Sequence, residues 1–187
     1  MRMKLWKLGK RILAFGFIII FTRWIFTRKV HFQQQFTVDM LQSSKAVWDF
    51  IADLNHMKVT NPGLKTFEII SDSGSHQEWQ YSAILTEYRD QFGLVNIHAE
   101  FTVKPQGKDY LIISTYNICK FFICAQINST MTFKENEDKN YKTKVIEDVD
   151  IVLSYIFSWY INISKIETYH KEKLMKIASH LNNNKLN

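Results

Sequence analysis

The sequence predicts an α+β fold in which a long C-terminal helix packs against an antiparallel sheet. Six consecutive segments between residues 64 and 153 alternate apolar and polar side chains, with short polar turns between them. From about Leu153 the apolar residues recur at helical spacing instead, and they do so as far as Leu181. A short helical stretch separates these strands from an earlier one, and helices grouped apart from strands are typical of the α+β class.

Composition indicates one domain with an appendage and excludes one class of partner. The 187 residues suit a single hydrophobic core. Eight of the 24 Lys and Arg lie in residues 1–29, where no acidic residue occurs. The remainder of the chain therefore carries 16 basic against 18 acidic residues. Because a nucleic-acid-binding domain needs a basic face, we expect no nucleic acid partner.

Residues 1–29 are expected to form a membrane anchor helix that enters the bilayer through residues 5–26. The uncharged core, Ile12–Thr22, spans only about 16 Å as a helix, whereas the hydrocarbon core is roughly 30 Å thick. A single-pass anchor must therefore let Lys10, Arg11 and Arg23 reach the interfaces. A monotopic helix lying in one leaflet is the first alternative, and a cleaved signal or mitochondrial transit peptide is the second.

The positions of the basic residues and of the cysteines are relevant to the side of the membrane on which the domain lies. Five basic residues before the apolar run and three after it favour a cytosolic N-terminus, with the domain across the membrane. Sequons at Asn128 and Asn162 would be used only in that topology. Cys119 and Cys124 are expected to be free, packed thiols, and a local disulfide is the alternative in an oxidising compartment. No spacing of Cys and His indicates a metal site, and no cofactor is expected.

The body begins with a strand and two short helices. Alternation predicts a strand over Lys29–Met40. Ser43 or Ser44 can then cap a helix, whose apolar face is formed by Val47, Trp48, Phe50, Ile51 and Leu54. One more helical turn follows and ends before Pro62, because proline disfavours helix at the preceding residue.

The rest of the body reads as an antiparallel meander followed by the long helix. The six strands are expected at Leu64–Ile70, Glu78–Tyr88, Leu94–Val103, Asp109–Asn117, Ala125–Phe133 and Tyr141–Leu153. Ser71–Ser75 is expected to be a turn. The apolar stripe of the helix comprises Ile156, Tyr160, Ile163, Ile166, His170, Leu174, Ile177 and Leu181. Residues 183–187 are expected to form a frayed tail.

The element order over residues 30–182 resembles the START/Bet v 1-like (SRPBCC) superfamily, including its polyketide cyclase/dehydrase and coenzyme Q-binding branches. The early signature of that family is similar to the stretch from Val47 to Asp53, which reads Val-Trp-Asp-Phe-Ile-Ala-Asp. A short second helix and Asn61-Pro62-Gly63 follow, as in those proteins. The chain departs from the pattern in one place, since Val59-Thr60 stand where a tryptophan often precedes the proline.

The resemblance implies a helix grip, in which a curved seven-stranded antiparallel sheet wraps the C-terminal helix and two short helices close one end. An apolar cavity between sheet and helix would then hold a lipid or other hydrophobic ligand, and Asn61-Pro62-Gly63 would be the hinge of the lid. The inward residues expected to bind the ligand are Trp79, Tyr81, Leu85, Ile97, Phe101, Met131, Phe133, Val145, Glu147, Tyr160 and Ile163.

Glu147 is the one acidic candidate for that cavity. It shares strand parity with Val145 and Val149, so it can face inward as a ligand handle or as an acid with a tuned pKa. A bulge that turns it to solvent is the alternative. His98 is expected to be exposed and His170 to be a satisfied core histidine.

Three tyrosines, Tyr81, Tyr110 and Tyr116, could either reach a ligand head group or pack with the hydroxyl at the rim. No nucleophile with a base and an orienting partner can be identified, so no catalytic residue is assigned.

The sequence therefore predicts a membrane-anchored domain that binds or transfers a lipid or other hydrophobic molecule, rather than an enzyme. A cyclase or dehydratase using the same cavity is the alternative, and it requires Glu147 to face inward. A quinone-binding chaperone is a further alternative, suggested by the coenzyme Q branch and the basic N-terminus.

Overall fold

The computed structural model describes residues 2–61, 63–75, 77–89, 93–120, 123–137, 140–159 and 163–183. The N-terminal half comprises α1 (Arg2–Thr27), β1 (Lys29–Met40), α2 (Ser44–Ala52), α3 (Leu54–Thr60), β2 (Leu64–Ser75) and β3 (Glu78–Arg89). The C-terminal half comprises β4 (Gly93–Gln106), β5 (Asp109–Lys120), β6 (Ile123–Glu135), β7 (Thr143–Ser154), α4 (Tyr155–Ser158) and α5 (Ile163–Asn183).

The predicted α+β helix grip is confirmed. One curved seven-stranded sheet has the order β1-β7-β6-β5-β4-β3-β2, and every neighbouring pair is antiparallel. β1 pairs with β7 rather than with β2, because α2 and α3 intervene between the first two strands. α5 is about 32 Å long, and its buried Leu174 and Ile177 join the core against the inner face of the sheet.

Different helices and connections lie next to the two ends of the sheet. At one end, here called the α1 end, Lys29 pairs with Ser154 and Arg89 pairs with Gly93. At the opposite end, here called the far end, β1 stops at Met40 and the chain enters α2. This arrangement places α1, α4 and the β3–β4 connection at the same end of the molecule.

Strict alternation along the strands produces the core. In β7 the odd-numbered residues from Thr143 to Leu153 are buried, whereas the even-numbered ones are exposed or half-buried. Burying a large apolar side chain contributes about 2–3 kcal/mol, so a register slip of one residue, which would reverse every position, is strongly disfavoured.

One predicted boundary is wrong. Ser71–Ser75 is not a turn but part of β2, because those residues pair with Glu78–Ser82 of β3. Their exposed polar side chains are compatible with an edge strand. The change from strand to helix that was expected near Leu153 agrees with the structure, since Leu153 pairs with Val30 and Ala125 in the sheet and α4 begins at Tyr155.

The free-thiol expectation is also wrong. Cys119 and Cys124 are cross-strand partners of β5 and β6, with their Cα atoms 4.1 Å apart, and they form a disulfide. The prediction failed because sequence spacing alone does not show that the hairpin register brings the two residues opposite each other.

A search of the described residues finds no helix that combines the length and the apolar character needed to cross a membrane. The expected transmembrane helix is therefore not found. The described side chains of α1 are nevertheless strongly apolar, and Phe15, Phe17 and Ile20 are 66%, 69% and 69% exposed.

Candidate ligand-binding site

A small cavity lies between the inner face of the sheet, α5 and the α2–α3 pair. Most of its wall is apolar, and polar side chains reach it from β5, α5 and α3. It is lined by Phe50, Ile51, His56, Met57, Thr60, Phe101, Ile112, Ser114, Tyr116, Met131, Lys173 and Ile177. The enclosed volume is about 20 Å³, which is room for about one water molecule. The large apolar cavity implied by the resemblance is therefore closed in this structure by its own aromatic and aliphatic side chains.

The α2–α3 pair forms the lid of this cavity. Ser43 caps α2, since its Oγ accepts a hydrogen bond from the Ala46 amide at 3.4 Å. Asp53 separates the two helices and caps α3 by accepting from the Asn55 amide at 2.8 Å. The lid is tied to the sheet where the Tyr81 hydroxyl donates to the Ala52 carbonyl at 3.0 Å.

The predicted ligand-binding residues divide into several groups. Phe101 and Met131 line the cavity, and Trp79 is half-buried at the far end, where its indole N–H bonds Asp72. Tyr160 and the side chain of Ile163 lie outside the described residues, as do Asn162 and Pro62. The remaining members are buried in the core around the cavity, namely Tyr81, Leu85, Ile97, Phe133, Val145 and Glu147.

Glu147 faces inward and is fully buried, at 0% exposure. The Ser129 hydroxyl donates to its Oε1 at 2.9 Å, and His170 Nδ1 lies 3.1 Å from its Oε2. The Lys173 ammonium is 3.6 Å from Oε1. Since an ionised carboxylate only accepts hydrogen bonds, the Nδ1 atom of His170 carries the proton. These four residues are referred to as the Glu147 cluster.

The charges of the cluster are set by opposing effects. Burial would raise the pKa of Glu147, but the Lys173 ammonium and the hydrogen bonds from His170 and Ser129 lower that pKa to about 2. Burial would lower the pKa of Lys173, and the Glu147 carboxylate more than reverses this, so the pKa is raised. At neutral pH the pair is therefore an ionised carboxylate and an ammonium.

Two hydroxyl groups continue the polar wall from Lys173. Tyr116 is half-buried, and it interacts with the side chain of the buried Ser114. Burial raises the pKa of the Tyr116 phenol, so the hydroxyl stays neutral and can donate a hydrogen bond. Lys173, Tyr116 and Ser114 all line the cavity, and His56 and Thr60 add polar groups from the lid.

A second polar cluster closes the lid at the α1 end. Glu87 is buried and pairs with the Arg89 guanidinium, which lies 4.7 Å from the centre of the Tyr169 ring. The Asn61 amide donates to Glu87 Oε1 at 2.8 Å. Tyr88 donates its amide to the Gly63 carbonyl at 2.8 Å. The residues that join α3 to β2 are thus held directly against the last residues of β3.

Sequence reasoning missed Lys173 and Glu87. Lys173 follows His170 by three residues on the apolar stripe, and Glu87 shares strand parity with the buried Leu85. Those spacings could have indicated that both side chains are buried, but a single charged residue beside an apolar stripe more often lies at the solvent-exposed edge of that stripe.

His98 is exposed as expected, and Tyr110 is half-buried and packs against Trp48 with ring centres 4.8 Å apart. Within the described ranges, no group of three or more His, Cys, Asp or Glu side chains could hold a metal ion.

Comparison with known proteins identifies the fold through structure rather than sequence. No protein-family model matches the chain, and no curated protein matches it. A conserved protein from Geobacillus kaustophilus superposes with a TM-score of 0.58 at 12% identity, covering 81% of this chain and 96% of that one.

Two enzymes of known structure are also similar to this chain. Norcoclaurine synthase from Thalictrum flavum gives a TM-score of 0.57 at 12% identity, covering 85% of this chain and 99% of that one. An aromatase/cyclase from a Streptomyces species gives 0.55 at 11% identity, covering 82% and 93%. The chain therefore has a START/Bet v 1-like helix-grip fold.

Proposed function

We propose that this chain binds an amphiphilic ligand between its sheet, α5 and the α2–α3 lid, and that α1 holds the domain at a membrane. The observation that carries the proposal is the presence of hydrogen-bond donors in a mainly apolar cavity. The Lys173 ammonium and the Tyr116 hydroxyl lie in a wall that is otherwise mainly apolar. A ligand with an apolar body and one anionic or carbonyl group would satisfy both kinds of surface.

Binding requires the lid to move, because the closed cavity has room for about one water molecule. Phe50, Ile51 and Met57 of the lid fill space that the body of a ligand would occupy. Outward movement of α2 and α3 would break the bond from Tyr81 to Ala52, while the contact between Asn61 and Glu87 holds the other end. The lid is thus built to pivot about its junction with β2.

The membrane part of the proposal rests on α1. From Phe15 to Phe21 its large apolar side chains are exposed, and a continuous apolar surface of this kind favours contact with lipid or another apolar partner. Basic residues flank this stretch, and no acidic residue occurs in residues 1–29. That composition favours lipid with anionic head groups. The proposal requires α1 to enter the hydrocarbon, not to cross it completely.

The ligand proposal can be tested with two molecules that differ only in the head group, hexadecanoic acid and hexadecan-1-ol. The full chain, released from detergent micelles in native mass spectrometry, is expected to retain the acid about tenfold more than the alcohol, because a charge-assisted hydrogen bond to Lys173 is stronger than a neutral one. The double variant Glu147→Gln/Lys173→Met should lose this preference.

Lys171→Met provides the matched control, since Lys171 lies on the same helix but is exposed and pairs with Glu167. It should keep the wild-type preference. Equal retention of acid and alcohol by the wild-type chain would contradict the role of Lys173, and retention of neither would contradict ligand binding in the grip.

A cyclase or dehydratase is a second candidate, because Glu147 faces inward as that function requires. Against it, the pKa of about 2 makes this carboxylate a poor proton donor and a weak base at neutral pH. Incubating the full chain with a poly-β-keto thioester and searching for dehydrated, cyclised product by mass spectrometry would test it. Product formation that is lost in Glu147→Gln would favour the enzyme over the binding protein.

A further inference from the structure

The α1 end of the sheet exposes large apolar side chains from several elements. Tyr88 of β3 and Leu94 of β4 are cross-strand partners and are 53% and 63% exposed. Trp159, just after α4, is 65% exposed, and Trp24 of α1 is 48% exposed. Four exposed aromatic or aliphatic side chains from separate parts of the chain thus lie at the same end of the sheet. We call this set the end surface.

The side chains around the junction of α1 with α4 have the character of a membrane interface. The Arg28 guanidinium lies 4.9 Å from the centre of the Trp24 ring and 5.1 Å from that of Tyr155. Tyr155 in turn meets Trp159 edge-on, with ring centres 5.4 Å apart. Trp and Tyr concentrate where hydrocarbon meets the head groups, and a stacked arginine beside them can bind phosphate.

The space beside this junction would also accommodate a lipid head group. An opening of about 450 Å³ lies between the end of α1 and the outer face of the sheet, and its lining includes Phe26, Lys29, Asn117, Gln126 and Ser154. An apolar ring, an ammonium, two amides and a hydroxyl match a phospholipid head group and the first carbons of its chains.

We propose that the end surface rests directly on a lipid bilayer, so that the grip domain lies against the membrane rather than hanging from it by α1 alone. This inference rests on the proposed membrane tether. From β1 to β3 the surface is about 24 Å wide, as five strand spacings separate those strands. The junction of α3 with β2, about which the lid would pivot, lies at the same end and would be held next to the lipid.

Photolabelling by a probe in the interior of the bilayer tests this arrangement. The experiment uses the full chain without any substitution. The protein is reconstituted into vesicles of phosphatidylcholine and phosphatidylserine that contain a lipid with a diazirine in its acyl chain, and labelled residues are located by peptide mass spectrometry. Tyr88, Leu94 and Trp159 should be labelled several-fold more than Ile113 and Met175. Ile113 is a suitable reference, since it is also exposed on the outer face but lies about 27 Å farther along the sheet.

The labelling pattern separates the two proposals. Label on Phe15–Phe21 together with Tyr88 and Leu94 supports both. Label on α1 with none on Tyr88 and Leu94 overturns the docked arrangement and leaves the tether intact. Absence of label from α1 as well overturns the tether, and with it the docked arrangement.

Discussion

At the scale of single residues, the molecule depends most on a charge placed inside its core. Glu147 is completely buried, which is tolerable because Ser129, His170 and Lys173 all lie against its two oxygens. Lys173 has a double role, since it neutralises Glu147 and also lines the cavity. The same ammonium can therefore serve stability in the closed state and ligand binding in the open state.

Removing one partner of this pair should cost more than removing both. Lys173→Met is expected to lower the free energy of unfolding by about 3 kcal/mol, because it leaves Glu147 as a buried charge without its counter-ion. Glu147→Gln/Lys173→Met should recover most of that loss. Urea titration followed by intrinsic fluorescence provides the comparison, with Lys171→Met as the exposed control. A single variant as stable as the double variant would contradict the buried pair.

The pair also predicts how stability depends on pH. The pKa of Glu147 falls from 4.5 to about 2 on folding, so its contribution is complete above about pH 4.5 and is lost as the pH falls toward 2. A shift of that size corresponds to about 3 kcal/mol. Because the pKa of Lys173 is raised from 10.5, its contribution is lost only in more alkaline solution.

Denaturant titrations of the wild-type chain and Glu147→Gln between pH 6 and pH 2 measure this contribution. The wild-type curve should fall more steeply with acid than that of the variant. Parallel curves would show that Glu147 does not have the depressed pKa.

At the scale of elements, the lid and its junction with β2 control access to the cavity. Gly63 is required there by close approach, since a Cβ atom at that position would lie 2.9 Å from the Tyr88 carbonyl oxygen. Asn61 reinforces the junction by accepting from the Gly63 amide at 3.1 Å while donating to Glu87. The pivot is therefore a packed, hydrogen-bonded corner.

Gly63→Ala should disturb this corner. Because the Tyr88 contact is with backbone, the chain must shift, and we expect a loss of about 1–2 kcal/mol in the free energy of unfolding. Gly16→Ala is the control, since a Cβ there meets nothing within 4 Å. Chemical denaturation of both variants provides the measurement, and equal stability would argue against the tight corner.

The disulfide between β5 and β6 gives a second prediction at this scale. Closing so short a loop should contribute about 2 kcal/mol, so a reducing agent is expected to lower the melting temperature by several degrees. Alkylation of the unfolded, unreduced chain should add no mass at Cys119 or Cys124. Two alkyl groups on the unreduced protein would show that the bond does not form.

At the scale of the whole molecule, the sequence predicted the order of elements and most of the inward faces, because period two and period 3.6 are local signals. The change from strand to helix near Leu153 was predicted in the same way, and α4 begins at Tyr155. The length of β2 was missed, because the turn-forming residues Ser71–Ser75 belong to the sheet through their pairing with β3.

The candidate site was only partly predictable. Strand parity indicated that Glu147 could face inward, with a bulge as the alternative, but it could not show that His170 and Lys173 lie against it, because that depends on how α5 is rotated over the sheet. The volume of the cavity was beyond sequence reasoning as well, since it depends on how Phe50, Phe101 and Met131 pack together.

The most direct test of the account is native mass spectrometry of the full chain extracted with detergent from the cells that produce it. We predict a single bound hydrophobic molecule that carries an acidic or carbonyl group, retained in Lys171→Met and lost or replaced by neutral molecules in Glu147→Gln/Lys173→Met. A wild-type chain that carries no such molecule, or a double variant that carries the same one, would contradict an amphiphile held in the grip by Lys173.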